Sequence, residues 1–269
     1  MQGPLALDGW ALVLGASSGF GAAAALELGR AGCDVAGVHL DRRASLAQAE
    51  ELAAKIRGLG REVRFYNTNA ADTARRDVVL DDLAGRIAEQ GPRSRVAVVL
   101  HSLAFGSLLP FVDEEPEHET ALAQLEMTCN VMAHSLVSWV QALIRRKMLV
   151  EGGRVFAMTS TGSWSAWRGY GAVSAAKAAL EAHVRQLSLE LAQHGVTVNA
   201  ICAGVTDTPA LRKIPTSDDM ISVALRKNPH GRLTRPEDVA RALVALAQPA
   251  TYWMTGNVIH VDGGEAIAG

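Results

Sequence analysis

Tyr170 and Lys177 are the side chains of this sequence whose types and spacing most directly suggest chemistry. The stretch "YGAVSAAK", residues 170–177, sets one lysine in a run of alanines and valines. Read at helical spacing, Tyr170, Val173, Lys177, Leu180, Val184, Leu187 and Leu191 form one apolar stripe of i+3 and i+4 steps. Lys177 lies on that stripe. A lysine facing a core is costly unless something pairs with its charge. The stripe therefore predicts an ammonium turned toward a site, with a head group snorkelling from the helix edge as the bland alternative. Seven helical steps fall about 20° short of two turns, so the Tyr170 hydroxyl is expected on the same face. A phenol and an ammonium together suit an oxygen on which negative charge develops. Ser160, at the end of an apolar run, is a candidate partner, although a strand-end residue with a local hydrogen bond would look the same. Asn130 could be an ordinary helix polar residue. Its neighbours Val131, Met132, Ala133, Leu136 and Val137 favour a buried role.

A second constellation suits a phosphate. Gly15, Gly19 and Gly21 follow a short apolar run and precede an alanine-rich helical pattern, with Ser17, Ser18 and Phe20 between them. Glycines there permit a tight turn and close backbone approach to a pyrophosphate, which the positive end of the helix then meets. The pattern is weak alone and strong in this strand–turn–helix context. The next apolar run ends "VHLDRRAS", residues 38–45, where dinucleotide folds choose between cofactors. Counted from Gly15, the selecting position is His39, followed by Asp41, Arg42 and Arg43. Two arginines suit a 2′-phosphate, which favours NADPH; Asp41 turned inward would favour NADH instead.

These residues need elements to position them. Apolar runs at residues 10–15, 34–40, 62–67, 95–101, 154–160, 196–201 and 257–263 read as strands. Helical patterns cover residues 44–59, 74–90, 120–148, 171–194 and 236–247. Continuous apolar strands separated by helices predict an α/β fold: a Rossmann-type, doubly wound, parallel seven-stranded sheet with helices on both faces. No linker or repeat divides residues 1–269, so one domain is expected. Residues 204–233, with three prolines and mixed charge, read as a long irregular segment, either a substrate lid or a surface insertion.

Composition excludes several functions. A net charge of -2 disfavours nucleic acid or an anionic membrane surface as the main partner. No apolar stretch reaches the length of a membrane helix, and the first residues carry no secretion pattern. Cys33, Cys129 and Cys202 are odd in number and far apart, which reads as free thiols in a reducing cytoplasm. None of the eight histidines has a metal-ligand spacing.

Together these pieces resemble the short-chain dehydrogenase/reductase superfamily over nearly the whole chain. The matching parts are the Gly15–Gly21 turn, "VVLHSLA", Asn130, Ser160, Tyr170 with Lys177, "NAICAGVTDT" and "GNVIHVDGG". Most of that superfamily places the tyrosine four residues before the lysine, where this chain has Val173. The seven-residue spacing is the mark of its enoyl-acyl carrier protein reductases, and "HSLAF" is similar to their variant of the fourth-strand motif. Several segments look most like the NADPH-dependent enoyl-acyl carrier protein reductase III. That branch is similar in tolerating serine ten residues before the tyrosine, where this chain has Ser160.

The resemblance implies fatty-acid synthesis, an acyl carrier protein or coenzyme A thioester as substrate, NADPH as donor and a homotetramer. It implies catalytic roles for Tyr170, Lys177, Ser160 and Asn130, with Lys177 also holding the nicotinamide ribose and lowering the Tyr170 pKa or strengthening its donation. Asn69 and Ala70 would border the adenine; His101, Ser102 and Leu103 would line the cleft; Val205 and Thr208 would flank the nicotinamide and pyrophosphate. Arg212, Lys213, Arg226 and Lys227 would offer an acidic carrier protein a basic patch, or merely solvate the lid. The segment 120–148 would be buried partly against another subunit. Two alternatives stand beside this reading. One is a carbonyl–alcohol oxidoreductase using Ser160, Tyr170 and Lys177; the other is a non-catalytic NADP-binding regulator.

Overall fold

A computed structural model describes residues 6–43, 45–91 and 94–268 of the chain. Seven parallel strands form one sheet: β1 (Trp10–Leu14), β2 (Asp34–His39), β3 (Val63–Asn67), β4 (Val96–His101), β5 (Arg154–Thr159), β6 (Thr197–Ala203) and β7 (Val258–Val261). Their order is β3-β2-β1-β4-β5-β6-β7, so the winding reverses between β1 and β4. Ligands of open α/β sheets bind outside the strand carboxyl ends at such a switch point.

The α-helices among the described residues are α1 (Gly19–Ala31), α2 (Leu46–Arg57), α3 (Thr73–Glu89), α4 (Leu122–Cys129), α5 (Ser135–Arg145), α6 (Gly171–Glu190), α7 (Ser217–Lys227) and α8 (Pro236–Leu246). The alternating side chains of β1 show why its run is apolar throughout. Trp10, Leu12 and Leu14 enter one core with residues of α3, α5 and α6, among them Leu80, Trp139 and Leu180. Ala11 and Val13 enter the opposite core with residues of α1, α2 and α8, such as Leu28, Ile56 and Leu243. A strand packed on both faces has no side on which a polar residue is tolerated.

Four expectations need correction. Residues 204–233 are not irregular, because they contain α7 and a 3-10 turn, Leu211–Lys213. The prolines that obscured the helix flank it: Pro215 precedes α7 and Pro229 follows it, while Asp218 and Asp219 fill its first turn and Arg226 and Lys227 its last. That charge order complements the helix dipole. Residues 120–148 are not one α-helix. A π-helical segment, Asn130–His134, separates α4 from α5, and such segments recur at functional sites. Asn130 opens that segment and is exposed, against the buried role expected of it. The apolar residues beside it face inward while its own position turns out. The helix expected to begin at residue 44 starts at Leu46; Ala44 itself, like residues 1–5, 92, 93 and 269, lies outside the described residues.

Candidate active site

The turn after β1 is built around backbone crowding. Gly15 has φ +91°, and a Cβ there would lie 2.2 Å from the Ser102 carbonyl oxygen. A Cβ on Gly21 would lie 2.0 Å from the Gly15 oxygen, so neither position admits a side chain without moving backbone. The turn is pinned outside as well. Gly15 and Ala16 donate to the Val38 oxygen, and Ser102 N–H donates to the Leu14 oxygen. Ser18 caps α1 without a side-chain bond, and no acid occupies the first turn. The helix thus presents unsatisfied N–H groups and a positive dipole end to the cleft, which fits a pyrophosphate. A groove of about 350 Å³ opens alongside, lined by Ser17, Gly19, Lys55, Thr208 and Pro236 among others.

Lys177 is buried, as the stripe on α6 requires. Its Nζ donates to the Met158 oxygen at 2.6 Å. Burial pushes its pKa down to about 8, and Glu181 followed by Cys202 pulls the other way. Glu181 sits one turn beyond Lys177 and accepts a hydrogen bond from Thr159 Oγ1 at 2.6 Å. The sequence reading missed this carboxylate, although its i+4 spacing from Lys177 was a usable signal.

Tyr170 is the N-cap residue of α6, just outside the helix that was expected to carry it. It packs against the buried cluster of Met132, Val173 and Ala176, as Leu108 does. Burial raises the phenol pKa, and the Ser160 hydroxyl opposes that rise. Lys177 is not among the causes of this shift: one N–H of its ammonium donates to Met158, and Ser160 is the side chain that acts on the phenol. Ser160 Oγ itself makes no hydrogen bond of ordinary geometry and is buried. Ser163 Oγ and Ser174 Oγ are buried without partners too. An unmet buried hydroxyl costs roughly 1–3 kcal/mol; of the three, Ser160 Oγ lies with the Tyr170 ring beside Gly162, and Ser174 N–H donates to the Tyr170 backbone oxygen. The sequence reading passed over Ser163 and Ser174, whose short polar side chains carry no periodic signal.

His101, the last residue of β4, is fully buried, and its Nε2 lies 2.8 Å from Ser135 Oγ. Ser135 gives its own proton to the Val131 oxygen in the π-helical segment, so His101 Nε2 must be the donor. Burial, then Lys177, pushes the imidazole down to about 3 and keeps it neutral. Ser102 and Leu103 continue into the cleft and are partly buried. Asn69 is exposed and its Oδ1 accepts from Ala71 N–H, while buried Ala70 accepts from Trp139 Nε1. Val205 N–H donates to the Glu265 carboxylate, and Thr208 packs against Gly19.

At the end of β2, Arg42 and Arg43 are exposed and enter none of the ion pairs among the described residues. The expected basic patch is less free. Arg212 is held by Asp207 and Asp218, so its charge is largely answered within the chain. Lys213, Arg226 and Lys227 are exposed. Beside Tyr170, exposed Phe111 lies against Gly171, and exposed Phe105 and Trp164 add apolar surface. Trp167 donates through Nε1 to Thr216 Oγ1 at 2.7 Å, tying this segment to the start of α7. Among the described residues, no helix is long and apolar enough to cross a membrane.

Known proteins are consistent with this geometry. The family described as enoyl-(acyl carrier protein) reductase matches residues 15–265. A 3-oxoacyl-[acyl-carrier-protein] reductase, FabG of Aggregatibacter actinomycetemcomitans, is 30% identical over 254 residues, covering 94% of this chain and 97% of that protein. The NADH-dependent enoyl-[acyl-carrier-protein] reductase FabI of Bacillus cereus is 33% identical over 140 residues, 52% of this chain and 54% of that one. Among solved structures, a short chain dehydrogenase from Burkholderia cenocepacia in complex with NADP superposes with a TM-score of 0.78 at 25% identity. That alignment covers 95% of this chain and 97% of the other.

Proposed function

The chain belongs to the short-chain dehydrogenase/reductase superfamily, an oxidoreductase family whose fold binds NAD or NADP, and from that premise we propose that it is an NADPH-dependent enoyl-acyl carrier protein reductase. The reaction is reduction of the trans-2 double bond of an enoyl thioester. The observation that carries this reading is the placement of the phenol. Val173, four residues before Lys177, is buried among apolar side chains, while Tyr170, seven before, caps α6 and faces Ser160.

When bound, NADPH would supply a hydride to Cβ of the substrate, and a proton taken up at Cα would complete the saturated thioester. The developing negative charge falls on the thioester oxygen, where a donor is worth most. Tyr170 is that donor, since its raised pKa keeps the hydroxyl protonated at neutral pH. Ser160 Oγ, unpartnered beside it, orients the phenol or the thioester. Lys177 uses one N–H on Met158 and keeps two for the ribose hydroxyls. The glycine turn and the N-terminus of α1 hold the pyrophosphate, bordered by Gly15, Ser17, Ser18, Gly19, Phe20, Gly21 and Thr208. Asn69, Ala70, His101, Ser102, Leu103 and Val205 complete the cofactor cleft, and Arg42 and Arg43 take the 2′-phosphate. Asn130 contributes through the backbone of the π-helical segment, because its side chain is exposed. Residues 204–233 close over an acyl carrier protein or coenzyme A thioester. The three free cysteines suit a cytoplasmic enzyme.

Ser160 favours a second reading, reduction of a 3-ketoacyl thioester, the reaction named for the Aggregatibacter relative. NADPH consumption by the purified protein with crotonyl and acetoacetyl thioesters, side by side, separates the two. Turnover of the crotonyl ester alone is expected. Turnover of the acetoacetyl ester alone would reverse the assignment and give Ser160 the deciding role.

A further inference from the structure

Asp41 is the one carboxylate in the turn that follows β2, and each of its oxygens already holds a partner within the chain. Its Oδ2 lies 2.8 Å from His39 Nδ1, and its Oδ1 accepts from Ser45 Oγ at 3.0 Å. Its backbone is clamped from the neighbouring strand. Asp41 N–H donates to Asn67 Oδ1 at 2.9 Å, and Asn67 Nδ2 donates back to the Asp41 oxygen at 3.0 Å. The Asp41 side chain keeps 15% of its exposure. A carboxylate that recognises a ribose diol uses its oxygens on the two hydroxyls, and here both oxygens are already engaged.

His39 is the partner that decides this. It ends β2, is buried, and stands with its ring 5.8 Å from that of Phe65 on β3, so sheet and core fix its orientation. Ser45 and Asn67 could exchange their bonds for water, since both sit at the surface side of the turn, whereas His39 Nδ1 points at Asp41 from inside. Arg42 and Arg43 follow directly and remain exposed outside the ion pairs. Guanidinium groups bind a phosphate dianion strongly, and a free carboxylate beside them would repel it.

We propose that His39 is a specificity-determining residue: by holding Asp41 it withdraws that carboxylate from the adenosine ribose and leaves the site to Arg42, Arg43 and a 2′-phosphate. The inference rests on the reading of this cleft as a dinucleotide site and adds to it the residue that selects between NADPH and NADH. His39 acts through Asp41, so it positions a group and does not react.

The test is direct binding of NADPH, NADH and adenosine 2′,5′-bisphosphate to the full chain, followed by nicotinamide fluorescence and by displacement. His39→Leu keeps an apolar side chain against Phe65 and frees Asp41. NADH binding should tighten about tenfold, NADPH should weaken, and adenosine 2′,5′-bisphosphate should weaken with it. Adding Asp41→Asn to that variant should abolish the NADH gain. His39→Gln, which retains a donor, should keep the wild-type ratio, and Asp41→Asn alone should leave NADH within about twofold. An unchanged NADPH-to-NADH ratio in His39→Leu, or about a tenfold loss of NADH in Asp41→Asn alone, would overturn the proposal. If neither dinucleotide binds the wild-type chain, the dinucleotide reading itself falls, and the proposal with it.

Discussion

Lys177 and Tyr170 carry opposite perturbations, and each points to its role. Burial lowers the lysine to about 8 and raises the phenol, so the site holds a hydroxyl that stays protonated beside an amine whose charge is costly. Tyr170→Phe should lower turnover by about a hundredfold or more while leaving NADPH affinity unchanged, the signature of a group used on the substrate. Lys177→Ala should weaken NADPH binding as well, and unchanged affinity in that variant would remove the lysine from the ribose. His101 gives a pH prediction. Its imidazole is pushed from an ordinary value near 6.5 to about 3, so between those values the unfolded chain binds a proton that the folded one refuses. Stability must therefore fall as pH drops below about 6.5. At pH 5 the loss from this one group is about 2 kcal/mol, or several degrees in Tm. Melting curves at pH 7 and pH 5 should show a larger fall for the wild type than for His101→Asn.

The elements place these groups by contacts that are remote in sequence. Trp167, in the segment before α6, donates to Thr216 at the N-cap of α7, and 49 residues separate them. That bond couples the position of α7 to the tyrosine segment. Trp167→Phe should raise the KM for the thioester several-fold, about what one neutral hydrogen bond is worth, with NADPH affinity unaltered. Thr216→Val should do the same, and the double variant should be no worse than either single one if the bond is the cause. The π-helical segment works similarly. It lets Ser135 bond both the Val131 oxygen and His101, which holds the end of β4 against α5.

At the scale of the whole molecule, the sheet order puts the glycine turn, His101 and Ser160 at the carboxyl ends of the three central strands, where β1, β4 and β5 are neighbours. Some large apolar side chains remain at the surface: Trp253 is 90% exposed, with its chain neighbours Tyr252 and Met254 also exposed, and Leu122 on α4 is 71% exposed. Neighbouring exposed side chains such as those of residues 252–254 suit a protein contact. Light scattering should give a mass about four times the 28.5 kDa chain, and a monomer would count against the expected tetramer. What the sequence by itself determined is whatever repeats or clusters locally. The stripe on α6, the double-sided strands and the glycine turn are each written within one continuous stretch of chain, because helix and strand periods and backbone crowding act at short range. Tertiary structure alone decided that Asp41 is occupied by His39, Ser45 and Asn67, that Thr159 donates to Glu181, that Asn130 faces out, and that three serine hydroxyls among the described residues lack partners. Those outcomes depend on which side chains the sheet order and the π-helical segment bring within hydrogen-bond reach. No local period encodes that.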